Sequence, residues 1–105
     1  MRKPSPRYDI GRDMIIGGDP RLDVFRGRLW SHGIKATEAR LEVLYQFAKI
    51  SQAKVVEPVS ATELAKRLEG RFAVATLYRA VEVLAKVGLI KKVESKEGFA
   101  TFLPM

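Results

Sequence analysis

The stretch from Ser60 to Gly88 constrains the fold most, because it spells two short helices and the stop between them in a fixed order. Ser60-Ala61-Thr62-Glu63 has the spacing of a capping box. In that motif the serine hydroxyl accepts from the backbone N–H three residues on, and the glutamate carboxylate reaches back to the serine N–H. Val59 and Leu64 stand where a hydrophobic staple would pack across the cap. The pattern predicts a short helix through Leu68, closed by Gly70. Val74, Leu77, Val81 and Leu84 then recur at helical spacing and predict a second helix over about 74–87, with those four facing the core. Ala75, Tyr78, Arg79, Glu82 and Lys86 take the other side, and Gly88 ends the helix.

Past Gly88 the period changes from helical to alternating. Residues 89–94 read as a strand, Ser95-Lys96-Glu97-Gly98 as a turn, and residues 99–103 as a second strand with both faces partly covered. Upstream, Thr37 caps a helix whose apolar stripe (Leu41, Leu44 and Ala48, flanked by Val43, Phe47 and Ile50) is wide enough for a central, well-buried element. Residues 52–58 end it, and Pro58 forces an extended approach to Ser60. Before that, Asp19-Pro20 opens a helix with Leu22, Phe25 and Leu29 on one face and Trp30 beside them, stopped by Gly33. His32 falls in its last turn, a place for a dipole partner rather than a metal ligand.

The expected fold is therefore mainly α with a small β-hairpin: four helices followed by a two-stranded wing, a winged helix-turn-helix, occupying residues 20–105. Residues 1–19, with two prolines, three glycines and scattered charge, read as a flexible basic tail.

Composition narrows the function. Nineteen Lys and Arg against twelve Asp and Glu give a net charge of +7, which favours a polyanionic partner. Cysteine is absent and His32 is the single histidine, so a transition-metal site lacks its usual ligands, and the expected cofactor is none. No nucleophile–base pair or phosphate loop appears, since Gly17-Gly18 runs into Asp19-Pro20, and an enzyme is not expected. No apolar run spans a bilayer, and the basic N-terminus precedes no signal-like stretch, so no membrane partner and a cytoplasmic location are expected.

In a helix-turn-helix the second helix enters the major groove with its first turns leading. That geometry points Ala75, Thr76, Tyr78 and Arg79 at base edges. Arginine can pair bidentately with guanine, hydroxyls can bond base edges, and alanine lets the helix approach closely.

From Leu29 to Leu103 the chain also resembles the DNA-binding domain of the ferric uptake regulator family. The resemblance rests on Gly33-Ile34-Lys35-Ala36-Thr37-Glu38-Ala39-Arg40, on Leu41-Glu42-Val43-Leu44, on Ser60-Ala61-Thr62-Glu63-Leu64, on Ala75-Thr76-Leu77-Tyr78-Arg79 and on Gly88-Leu89-Ile90, in that order. It implies a minor-groove contact for Lys35, major-groove contacts for Tyr78 and Arg79, and backbone contacts for Thr37 and Arg40. Lys96, in the hairpin turn, completes the DNA-binding set. Two departures matter. The region before the capping box, Val55-Val56-Glu57-Pro58, carries no sensory histidine, and Ala73 replaces the polar residue that often caps the recognition helix. The sequence also stops just after the wing, without the family's metal-binding dimerisation domain. The expectation is a sequence-specific, metal-independent repressor acting on double-stranded DNA, as a homodimer or with a heteromeric protein partner. The competing expectation is a protein-interaction module, or an antagonist of a full-length family member, docking through the exposed side of the first helix near Trp30.

Overall fold

The computed structural model describes residues 20–105. The expected N-terminal tail and the Asp19 cap lie outside them. The chain divides into two units, Met1–Ile34 and Lys35–Met105.

In the first unit, a 3-10 turn at Pro20–Leu22 leads into α1, Asp23–Ser31. Leu22, Phe25 and Leu29 are buried, as their spacing requires, while Val24 and Trp30 are exposed. The residue preceding α1 is Leu22, which offers no side-chain cap. At the other end the His32 ring donates from Nδ1 to the Arg28 carbonyl at 2.8 Å, beside the Ser31 hydroxyl, which donates to the same oxygen. A helix end leaves its last carbonyl groups without intrahelical donors, and here two side chains serve a single such oxygen.

The second unit contains α2 (Glu38–Ile50), α3 (Ala61–Arg67), α4 (Val74–Lys86) and an antiparallel hairpin of β1 (Ile90–Glu94) and β2 (Ala100–Pro104). Register pairs Ile90 with Pro104, Lys92 with Phe102 and Glu94 with Ala100. The fold is the winged helix expected from the sequence: helices and a two-stranded wing, mainly α.

α4 is the centre of this unit, packing on α2, α3 and β1. Leu77, Val81 and Leu84 have no exposed surface. Removing side chains of this size from water is worth about 1.5–3 kcal/mol each. Val74 departs from the expectation. It is 44% exposed, and Ala73 and Ala75 beside it are exposed too, so the elements that bury the rest of α4 do not cover its first turn. From α2, Leu41, Val43, Leu44, Phe47 and Ile50 are buried, but Ala48 is half-buried and Gln46 is inside, so the stripe is rotated from the row first read.

The capping box at Ser60 forms as spelled, with the Glu63 N–H donating to Ser60 Oγ at 3.2 Å and the Ser60 N–H to Glu63 Oε1 at 2.8 Å. Between α3 and α4 the chain turns through two left-handed residues, Glu69 (φ 56°) and Gly70 (φ 74°). The Gly70 N–H returns to the Ala65 carbonyl at 2.9 Å, so the turn is built as a helix C-cap.

One long-range link had no signal in the sequence. Val59 and Phe102 exchange two backbone hydrogen bonds, 2.9 and 2.8 Å, which lay the residue before the Ser60 cap alongside β2 as a one-residue third strand. Val59 and Phe102 are both buried, and Thr101 on the opposite face of β2 is buried too, its hydroxyl donating to the Val93 carbonyl. No helix among the described residues is long and apolar enough to cross a membrane.

Candidate nucleic-acid interface

The start of α2 and the outer flank of α4 face one another across an open groove of about 500 Å³. Thr37, Arg40, Thr76, Tyr78 and Arg79 line it, together with Ala39, Ala80, Glu82 and Val83. Five of the eight residues expected to meet DNA are thereby brought together. The helical period explains the grouping: with Leu77, Val81 and Leu84 turned inward, residues 76, 79 and 83 are carried to one flank, and 78 and 82 follow one turn apart.

The remaining three expected residues lie outside the groove lining. Lys35 sits on the exposed loop before α2, Ala75 is exposed on the first turn of α4, and Lys96 is exposed in the turn of the hairpin. Lys35 is nonetheless tied to the group. Its carbonyl accepts from Arg40 Nη1 at 2.8 Å and from the Thr37 N–H at 3.1 Å, so Arg40 braces the loop that presents Lys35. Thr37 Oγ1 is engaged as the α2 cap, accepting from the Arg40 N–H at 3.2 Å. Its hydroxyl proton donates to no other group among the described residues. Thus the residues expected to touch a backbone also hold each other in place.

α4 begins at Ala73, whose side chain makes no cap hydrogen bond. The turn that leads into it is tied down by side chains instead. Arg71, in the turn before it, forks across to α2, with Nη2 at 3.0 Å from Glu38 Oε2 and Nη1 at 3.2 Å from Glu42 Oε2. Its guanidinium also lies 5.3 Å from the Phe72 ring centroid. Glu42 is largely buried, which screens that arm less than the exposed Glu38 arm.

A second row crosses from α4 to the wing. Lys92 Nζ lies 2.9 Å from Glu82 Oε2. Tyr78 stands one turn before Glu82 and lines the same groove. Lys92, and then Tyr78, hold the Glu82 carboxyl below its usual range, while Glu82 raises both the Tyr78 hydroxyl and the Lys92 ammonium. Sequence reasoning placed Glu82 on the outer face but gave it no role, and passed over Lys92 and Arg71. The i, i+4 spacing of Tyr78 and Glu82 was a usable signal. The partners across elements had none.

The sequence signature of the ferric uptake regulator family matches residues 31–103, well over half of the chain. The chain belongs to the ferric uptake regulator family. Among solved structures, the Vibrio cholerae ferric uptake regulator superposes with a TM-score of 0.63 at 25% identity, over 77% of this chain and 61% of that one. Its crystal structure is described as revealing a rearrangement of its DNA-binding domains. The Helicobacter pylori ferric uptake regulator, described as having three functional metal-binding sites, gives 0.59 at 17% identity, over 81% of this chain and 55% of that one. A manganese uptake regulator gives 0.55 at 20%, over 73% and 55%. These last two likenesses concern the fold. No curated protein sequence matches. The chain spans about three-fifths or less of the length of these solved relatives.

The family's name implies iron, and the donors in hand do not fit it. Among the described residues no three His, Cys, Asp or Glu side chains converge. Cysteine is absent, and His32, the single histidine, gives Nδ1 to the Arg28 carbonyl at the end of α1.

Proposed function

We propose that this ferric uptake regulator family chain is a sequence-specific transcriptional regulator that binds double-stranded DNA. α4 lies in the major groove, and no metal is needed for the contact. The observation that carries this reading is the convergence of Thr37, Arg40, Thr76, Tyr78 and Arg79 on one groove beside the projecting first turns of α4. Tyr78 and Arg79 are exposed there with nothing of the second unit over them that would bar a duplex. Arg79 supplies a bidentate donor for guanine, Thr37 and Thr76 supply hydroxyls, and the unoccupied first-turn N–H groups of α4 suit a phosphate. Arg40 holds the loop from which Lys35 enters the minor groove, and Lys96 on the wing meets the flanking backbone.

The chain acts as a repressor in this reading, because a promoter covered by it is closed to polymerase by occupancy alone. One groove-reading helix covers one half-site, so a homodimer or a heteromeric protein partner completes the operator. Its work is non-enzymatic and cytoplasmic.

The test is a fluorescence anisotropy titration of random-sequence and A·T-rich palindromic duplexes at several salt concentrations, in the presence of a chelator. The expected result is binding whose log–log salt slope corresponds to roughly 4–8 phosphates and which survives chelation. Arg79→Ala weakens binding to a preferred duplex by about 1–3 kcal/mol and flattens the preference. Absence of binding at low salt to both duplexes would refute the reading. Binding lost with chelator and restored by a divalent metal would refute metal independence alone.

A further inference from the structure

Glu82 is out of keeping with its surroundings. The groove between α2 and α4 continues past it into a second depression of about 390 Å³, lined by Glu82, Val83, Ala85, Lys86 and Lys92. Of the side chains lining these two grooves, Glu82 is the one acid. A carboxylate on a surface that meets phosphates costs affinity through like-charge repulsion. It does more than repel, because it has captured a cation. Lys92 lies on the same face of β1 as buried Ile90, the face that packs on α4, and its ammonium ends 2.9 Å from Glu82 Oε2. Neither side chain is buried, the lysine 48% and the glutamate 34% exposed, so the pair can be opened by a competing anion.

We propose that Glu82 is a specificity-determining residue that withholds Lys92 from DNA phosphates, so that a duplex gains this cation only by displacing the carboxylate. The inference rests on the DNA-binding reading above. Its consequence follows from the two kinds of contact that such proteins make. Phosphate contacts are blind to sequence and supply most non-specific affinity, while base contacts supply discrimination. An internal anion that neutralises a phosphate-reaching lysine lowers the first and spares the second. The wing and the reading helix are thereby linked through a contact that non-specific DNA must compete with.

The experiment compares the full chain with Glu82→Gln, Lys92→Gln and the double variant. Each is titrated with a random-sequence duplex across a salt series, after thermal unfolding by circular dichroism has established folding. Glu82→Ala serves as a second probe of the same position. Glu82→Gln is expected to tighten random-duplex binding roughly tenfold near 0.1 M salt and to steepen the salt slope by about 0.9, the signature of one added phosphate contact. Lys92→Gln alone is expected to weaken binding by no more than about threefold, because it leaves the Glu82 carboxylate unpaired without removing a phosphate contact, and the double variant to return near the parent value, so that the gain from Glu82→Gln is smaller without Lys92. A Glu82→Gln chain with unchanged affinity and slope would overturn the proposal while leaving DNA binding standing. So would an equal gain with and without Lys92, which would reduce Glu82 to direct repulsion. Failure of all the proteins to bind would overturn the DNA reading, and this proposal with it.

Discussion

The two helices of the helix-turn-helix begin in opposite ways. α3 opens on a complete capping box, with both its reciprocal bonds made. α4 opens on Ala73, with no side-chain cap and with Val74 exposed beside it. The shorter helix needs local help, since seven residues are far too few to be stable by propagation alone. The longer one draws its order from Leu77, Val81 and Leu84, whose burial occurs well behind its tip. The comparison teaches a division of labour. α3 closes its backbone donors within itself and serves as scaffold, while α4 is anchored at its middle and keeps its leading turn available.

That contrast can be tested at three points. The largest effect is expected at the anchor. Leu77→Ala should cost about 2–5 kcal/mol in urea unfolding, from lost transfer energy and the cavity left behind. A loss below about 1 kcal/mol would mean that α4 is not held by its buried flank. Next is the scaffold cap. Ser60→Ala should destabilise by about 1 kcal/mol, seen as a lower denaturant midpoint at unchanged m-value. No change would show that the staple and tertiary packing suffice for α3. The smallest effect sharpens the contrast rather than breaking it. Ala73→Ser should stabilise by about 0.5–1 kcal/mol, raising the thermal midpoint by a few degrees, and should also weaken DNA binding by satisfying an N–H that a phosphate would otherwise use. A stabilised variant with undiminished DNA affinity would show that the bare start of α4 has no part in binding.

The same contrast explains what could be read from the residues in advance. The capping box was legible because it is local, two side chains and two N–H groups within four residues. The helices and hairpin were legible from their periods. Val74 was misassigned because the period registers which face a residue takes, not whether another element reaches far enough to cover it. The β-bridge between Val59 and Phe102 joins segments separated by α3, α4 and β1, and neither residue announces the other. At the site, the grouping of Thr37, Arg40, Thr76, Tyr78 and Arg79 followed from helix geometry and family pattern. The bonds that position them did not. Arg40 reaching the Lys35 carbonyl, Arg71 forking onto Glu38 and Glu42, and Lys92 meeting Glu82 depend on how elements pack, and surface ion pairs leave no trace in hydrophobic spacing.

The Val59–Phe102 pairing closes the chain into a ring. Everything from the threshold of α3, through α4, to the returning strand of the wing is a loop whose two ends are fastened by a pair of backbone hydrogen bonds. Closing a loop of that size carries an entropy cost that near-neighbour contacts do not, so the clasp belongs among the late, non-local steps of folding. Once it is shut, α3, α4 and the wing share one boundary. A disturbance that frees β2 also slackens the entry to α3, so the two helices and the wing are lost together rather than by fraying from one end.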